Sequence, residues 1–178
     1  ANTIHDTGND LNKLIESILD MKKIQEHSLE LIEVAFNPKE EITKCVNNYV
    51  KKSFNKNQKY ETYMDDSLPQ SLLGDPARIT QVIGIVLDNA IKFTDDGGHI
   101  NVNVEYDDIS ECLVCQVKDN GIGISKEDQD KIFNMQQLDA KTSRSHEGVG
   151  LGLSIAYNLL KQMNGDIIVK SIPLNGSF

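Results

Sequence analysis

The sequence lacks the features that would assign it to a membrane or a nucleic acid. No apolar run approaches the ~20 residues of a transmembrane helix, and the opening ANTIHDTGND is polar where a signal peptide would be apolar. No lysine and arginine cluster stands free of acidic residues, and 27 acidic against 18 basic residues give a net charge of −9. Because nucleic-acid binding ordinarily requires a basic face, we expect none. A cytoplasmic location without direct membrane contact is favoured, within a parent chain that could be membrane-anchored upstream.

Cysteine is also scarce, at three residues. Cys112 and Cys115 form a CxxC pair, but the alternating stretch ECLVCQV predicts a strand, in which residues i and i+3 point to opposite faces. The two sulfurs therefore cannot grip one metal or close a short disulfide, and we expect buried, reduced thiols. The four histidines are scattered singly, without the spacing of a metal site.

Apolar periodicity predicts an N-terminal helix followed by one domain. Residues 1–30 carry an apolar stripe at three- and four-residue spacings, and Pro38 opens a second helix after an Asn-Pro break. We place the boundary near residues 33–37 and divide the chain into 1–35 and 36–178. Within the domain, Asp75 and Pro76 start a helix over 76–93, and the paired glycines of DDGG end it.

The other patterns predict strands and a long loop. A short strand lies in KYETYMDDSLPQSLLG, whereas HINVNVEYDD and LVCQVKD alternate as a hairpin with one buried face. A glycine-rich turn then feeds an apolar helix that stops at Asn164 and Gly165, and DIIVKSI predicts a last strand. The order predicts an α+β fold, a two-layer α/β sandwich with helices on one face of a mixed sheet. The polar segment 125–147 is long enough to indicate a functional loop.

Three motifs carry the chemistry. In QVIGIVLDNAIKFT, the positions of Ile85, Asn89 and Lys92 are i, i+4 and i+7, so their side chains share one helix face. DNGIG follows a strand and GVGLG precedes a helix, where glycines and a helix N-terminus favour phosphate. Neither motif has the βαβ context of a dinucleotide fingerprint, and the GK[ST] of a P-loop is missing.

Taken together and in this order, the motifs resemble the N, G1 and G2 boxes of GHKL (Bergerat-fold) ATP-binding domains over about residues 70–178. GNDLNKLIESILDMKKIQEHSLEL is similar to the second helix of the dimerisation and phosphotransfer hairpin of sensor histidine kinases. The resemblance implies a two-component kinase that transfers the γ-phosphoryl of ATP to a histidine upstream of residue 1. It also implies a homodimer through the hairpin, a response regulator or receiver domain as partner, and a missing last strand in 36–178.

The resemblance assigns roles to individual residues. Asp119 would accept the adenine amino group, while Gly121 and Gly123 shape the turn beside the base. Asn89 would be a ligand of Mg²⁺, and Lys92 would reach the phosphates as a point charge. The resemblance also implies that the polar segment 125–147 is a lid over the nucleotide, in which Arg144 would contact the γ-phosphate. The second glycine motif would add phosphate contacts from Gly148, Gly150 and Gly152.

Two departures from the family pattern leave alternatives open. Ile85 stands where matching kinases usually carry a polar residue and hydrolytic members such as gyrase carry a glutamate base, and isoleucine can do neither task. IFNMQQLDAKTSR resembles the F-box but keeps only Phe133 as an aromatic anchor. The protein is therefore a kinase, active or weak, or a degenerate pseudokinase acting as a nucleotide sensor or dimerising scaffold. Ile85 is plain core if its helix is rotated.

Overall fold

The structure is a computed structural model, and it describes residues 15, 18–24, 26, 28–129, 131–133 and 152–178. Residues 18–24 are helical and are called the N-terminal segment below. The elements that follow are β1 (Val34–Phe36), α1 (Pro38–Phe54), β2 (Lys59–Met64), β3 (Leu72–Gly74), α2 (Pro76–Phe93), β4 (His99–Asp107), β5 (Cys112–Asp119), α3 (Lys126–Gln129) and α4 (Gly152–Gln162). Within these described ranges, no helix is long and apolar enough to cross a membrane.

The two main helices begin where the sequence predicts. Asn37 caps α1 by accepting the backbone N–H of Glu40 at 3.1 Å, and Asp75 caps α2 by accepting that of Arg78 at 3.1 Å. A proline occupies the first helical turn in both, where its missing N–H costs nothing. α2 ends at Phe93, and the DDGG turn that follows places Gly97 at a φ of +78°.

A three-stranded mixed sheet is ordered β2-β4-β5. β2 runs parallel to β4, and β4 and β5 form the predicted antiparallel hairpin, with Val102 opposite Val117. β1 and β3 form a separate antiparallel pair. The sequence did not predict it: β1 lies in the predicted boundary 33–37, and β3 follows the one short strand predicted in KYETYMDDSLPQSLLG.

The predicted last strand, DIIVKSI, is wrong. Residues 165–170 have no regular structure, and pairing begins only where Lys170 and Phe178 exchange backbone hydrogen bonds and Ser171 bridges Ser177. Within DIIVKSI, the backbone hydrogen bonds to the described residues 176–178 come only from residues 170 and 172, so its apolar alternation is not matched by a paired strand. This turn-back, residues 170–178, is called the C-terminal hairpin.

The core lies between the sheet and the pair α1 and α2, so the predicted two-layer arrangement is confirmed. Ile100, Val102 and Val104 of β4 are fully buried, whereas the intervening residues of the strand are only partly buried. The helices cover this face with buried residues at helical spacing, among them Ile42, Val46, Ile83, Leu87 and Ile91.

A second apolar cluster joins the N-terminal segment to α2 and α4. Ile24 is buried there against Val82, Ile155 and Leu159. Beside it, the buried carboxylate of Asp20 accepts hydrogen bonds from Arg78 Nη1 at 2.8 Å and Gln81 Nε2 at 2.7 Å. The N-terminal segment is thereby fixed to the first turns of α2.

The cysteines follow the strand geometry. All three are free; Cys115 packs against the core, and Cys112 is exposed. The predicted opposite orientation of the pair is confirmed, but the expectation that every thiol is buried is wrong for Cys112, which pairs with Asp107 beside the connecting turn of the hairpin. Burial raises the pKa of the Cys115 thiol to about 12.

Candidate nucleotide-binding site

Two glycine elements converge on one stripe of α2. Gly152, the first residue of α4, lies against Ile85, because a Cβ at Gly152 would stand 3.1 Å from Ile85 Cγ2. Gly121 lies against Phe93, since a Cβ there would collide with the Phe93 carbonyl oxygen, which accepts the N–H of Ile122 at 3.2 Å. Asn89 stands between these contacts, one helical turn or about 6 Å from each. Motifs far apart in sequence therefore meet α2 on either side of Asn89 along the helix.

Asn89 and Lys92 are both half-buried near the end of α2. The side-chain amide of Asn89 forms no hydrogen bond within the described part of the chain. The ammonium of Lys92 lies 5.1 Å from the centroid of the Phe93 ring, a cation–π contact that directs it along the end of the helix. A neutral side-chain amide and an ammonium thus stand about one turn apart on α2.

Asp119 closes the other side of the site. It pairs with Ile100 across the hairpin, so its side chain points to the buried face of the sheet and is half-buried. Its Oδ1 accepts the N–H groups of Gly121 at 2.9 Å and Ser177 at 3.2 Å, while Oδ2 accepts no hydrogen bond from the described residues. Burial raises the pKa of this carboxyl, and the two N–H groups lower it less. A donor from a ligand at Oδ2 would favour the ionised form.

The DNGIG turn is clamped by the C-terminal hairpin. Ile124 N–H donates to Ser171 Oγ at 2.7 Å, and Leu174 N–H donates to the Ile122 carbonyl at 2.7 Å. Gly123 needs its φ of +68°, and a Cβ there would collide with the Ile172 carbonyl. Sequence reasoning missed these contacts, because they join the backbone of DNGIG to a segment that is distant along the chain.

Phe133 stacks on Tyr157 of α4, with ring centroids 5.4 Å apart and planes at 26°. The one aromatic residue kept from the F-box pattern is therefore fixed to the helix that GVGLG opens. Arg144, Gly148 and Gly150 lie outside the described residues, so their roles stay predictions.

Ile85 has a packing role. It is half-buried and packs against the second apolar cluster, beneath the first turn of α4. Asn89, one turn further along the same stripe, is half-buried and forms no hydrogen bond with the described residues.

The donor set fits a nucleotide with magnesium. The unbonded, half-buried amide oxygen of Asn89 is a hard ligand of the kind that Mg²⁺ accepts, and the N-terminus of α4 favours an anion. Among the described residues, no group of three or more His, Cys, Asp or Glu could hold a metal on its own. A magnesium ion here would therefore depend on phosphates and water for its other ligands.

Known proteins match nearly the whole chain. Residues 74–178 match the family described as histidine kinase-, DNA gyrase B-, and HSP90-like ATPase. The signal transduction histidine-protein kinase BarA of Escherichia coli K12 is 36% identical over 180 residues, covering 99% of this chain and 20% of BarA. The sensor histidine kinase RcsC of Salmonella typhimurium is 36% identical over 171 residues, covering 94% of this chain and 17% of RcsC.

A solved structure supports the same fold. Full-length ShkA in complex with AMPPNP superposes with a TM-score of 0.81 at 22% identity, covering 99% of this chain and 36% of ShkA. The chain spans about a fifth of the length of the curated relatives that it matches. The chain therefore belongs to the histidine kinase-, DNA gyrase B- and HSP90-like ATPase family, as an ATP-binding catalytic domain of the sensor histidine kinase type.

Proposed function

We propose that this domain binds Mg²⁺-ATP and presents the γ-phosphoryl group to a histidine located upstream in the parent chain, in two-component signal transduction. The observation that carries the proposal is the convergence of Gly121 and Gly152 on the α2 stripe that holds Asn89. No single motif in the chain would support it as well.

At the base end, Asp119 is expected to select adenine. Its Oδ1 is engaged by two backbone N–H groups, so the available Oδ2 can accept the adenine amino group. Guanine presents an oxygen at the corresponding position, which a carboxylate would repel. The backbone of Gly121 and Gly123, held by the end of α2 and the C-terminal hairpin, would form the wall beside the base.

At the phosphate end, Asn89 would give its side-chain oxygen to the metal, and Lys92 would contact the phosphates as a point charge. Gly152 would present the N-terminus of α4 to the phosphate chain, and we propose that Gly148, Gly150 and Arg144 add further donors. Bound Mg²⁺ would neutralise charge that develops on the phosphoryl oxygens. In the transfer, the bond from the γ-phosphorus to the ADP oxygen would break as the lone pair of the unprotonated imidazole nitrogen forms a bond to phosphorus, and the proton on the other ring nitrogen would be released.

The N-terminal segment supports a homodimer. Ile18 and Leu19 of the segment, and Ile15 before it, are about half exposed, whereas Ile24 is buried against the domain. A second copy of the helix, completed by its upstream partner, would cover these apolar residues. A response regulator or receiver domain would then take the phosphoryl group from the histidine. Because ATP is supplied in the cytoplasm, we propose that the domain works there.

The pseudokinase alternative has no support. The matched relatives are named as histidine kinases, and Ile85 has a packing role that does not require a lost catalytic one. The gyrase type of hydrolysis would require a base at position 85.

The test is phosphotransfer in the parent chain with γ-labelled ATP. We expect a label that is stable in alkali and labile in acid, as a phosphoramidate is, and that Asn89→Ala abolishes. Acid-stable label, or free phosphate without labelled protein, would rule the proposal out. The 178-residue chain alone should bind nucleotide without becoming labelled.

A further inference from the structure

The carbonyl groups at the end of α2 are held by two side chains from another part of the fold. Lys56 Nζ donates to the carbonyls of Ile91 at 2.9 Å, Lys92 at 3.3 Å and Thr94 at 2.7 Å. Gln58 Nε2 donates to those of Ile91 at 3.0 Å and Thr94 at 2.8 Å. Lys56 lies in the turn after α1, and Gln58 directly precedes β2. The last carbonyls of a helix lack intrahelical partners and carry the negative end of its dipole, so an ammonium is well placed there.

The remaining carbonyl of this turn faces the nucleotide loop. Phe93 O accepts the N–H of Ile122 at 3.2 Å, and Gly121 packs against the same oxygen. The last turn of α2 is therefore held on one side by Lys56 and Gln58 and on the other by DNGIG. Lys92 belongs to this turn, and Asn89 lies one turn before Phe93.

The hydrogen bonds of Lys56 and Gln58 to the end of α2 come with buried polar atoms that lack partners in the described part of the chain, an arrangement that stability alone would not favour. α2 ends in an extended residue, Thr94, with a φ of −95° and a ψ of 131°, without a left-handed cap. Thr94 is 1% and Gln58 6% exposed, and their Oγ1 and Oε1 atoms have no hydrogen-bond partner among the described residues. Buried unsatisfied polar atoms are costly, and proteins tend to keep such violations at functional sites.

We infer that Lys56, assisted by Gln58, is a positioning residue for the nucleotide site. By gripping the carbonyls of residues 91, 92 and 94, it fixes the turn that places Lys92 and Asn89 at the phosphates, in register with the loop that holds the base. It acts through the backbone and touches neither nucleotide nor metal. The inference rests on the proposed function, because it concerns the same site.

Calorimetric titration of the 178-residue chain with ADP, in Mg²⁺ and in EDTA, tests the role of Lys56. Lys56→Met removes the ammonium while keeping much of the stem, and we expect Mg²⁺-ADP affinity to fall about tenfold or more, because small misplacements of positioning groups are costly. The ratio of the Kd in EDTA to the Kd in Mg²⁺ should fall towards one, since Asn89 and Lys92 move together. Lys56→Arg, which keeps the charge and the donors, should restore most of the affinity.

Two controls separate positioning from stability. Lys52→Met makes the same change on α1 and breaks a 2.6 Å contact with Asp88 of α2, away from the last turn, so binding should stay near wild type. Val46→Ala destabilises the core without touching the site. Gln58→Met provides a second test if Lys56→Met unfolds, because it removes two donors and the unpartnered Oε1 together, and should weaken Mg²⁺-ADP in the same direction.

Wild-type affinity in Lys56→Met and Gln58→Met would overturn the inference, and so would losses no larger than those of Val46→Ala at equal loss of stability. Absence of nucleotide binding in the wild-type chain would overturn the proposed function and this inference together. Normal wild-type binding with no effect of either variant would overturn only the inference.

Discussion

At the scale of single residues, Asp119 is the expected determinant of nucleotide choice. Asp119→Asn preserves an oxygen that can accept the N–H groups of Gly121 and Ser177, but it can turn the acceptor at Oδ2 into a donor. Because a hydrogen bond to a charged group contributes about 1.5–3 kcal/mol, we expect ADP affinity to fall by about 10- to 100-fold. Calorimetry with ADP and GDP measures it, and an ADP affinity equal to that of the wild type would exclude adenine recognition by Asp119.

The burial of Asp119 predicts that both the stability of the fold and the affinity for ADP depend on pH. Burial raises the pKa of Asp119, so the folded protein retains the proton to higher pH than the unfolded chain. The stability from this proton is present below the unfolded pKa and is lost as pH rises through the folded pKa. Nucleotide binding needs the ionised form, so ADP affinity should weaken on acidification, beginning above the usual range for aspartate. Asp119→Asn is the control, because phosphate protonation alone would weaken both proteins equally on acidification.

At the scale of elements, α2 packs against the core and also carries the candidate site residues Asn89 and Lys92. Its start, its end and the stripe of Asn89 and Lys92 could be predicted, because caps and helical periodicity are local signals. The hydrogen bonds from the C-terminal hairpin to DNGIG and from Lys56 to the end of α2 could not be predicted, because they reach backbone atoms of distant segments. From the sequence, Ile85 is interpreted as a departure at the site. Its contact with Gly152 of α4 could not be predicted, because the two residues are far apart along the chain.

Ile85→Ala tests the packing role of that residue. The substitution leaves a gap beneath Gly152 in the second cluster, and for a half-buried site we expect a loss of about 1–2 kcal/mol in the free energy of unfolding. The Mg²⁺ dependence of ADP binding should remain, because Asn89 still supplies the oxygen ligand. Unchanged stability in a denaturant titration, together with altered Mg²⁺ dependence, would instead place Ile85 in the metal site.

The contact of the N-terminal segment with α2 is a second test at this scale. Arg78→Met leaves the buried carboxylate of Asp20 with Gln81 alone, so docking of the segment should weaken by about 1–3 kcal/mol. Hydrogen exchange of residues 18–24 should then accelerate while exchange in β4 and β5 is unchanged. Lys161→Met, which breaks an exposed pair with Asp166, is the matched control and should have little effect. Equal exchange in both variants would contradict the role given to Asp20.

At the scale of the whole molecule, a chain of net charge −9 is proposed to bind a polyanion. Such binding requires a concentration of positive potential, which here would come from Lys92, the N-terminus of α4 and a metal at Asn89. The two-layer fold assembles these groups from three motifs, and the matched kinases carry the same region as about a fifth of their length.

Calorimetric titration of the wild-type chain and Asn89→Ala with a non-hydrolysable ATP analogue, in Mg²⁺ and in EDTA, tests the central claim most directly. We expect wild-type binding that tightens with Mg²⁺, and an Asn89→Ala variant that loses this gain while keeping its fold. Wild-type binding indifferent to Mg²⁺, or no binding, would contradict a catalytic site built around Asn89.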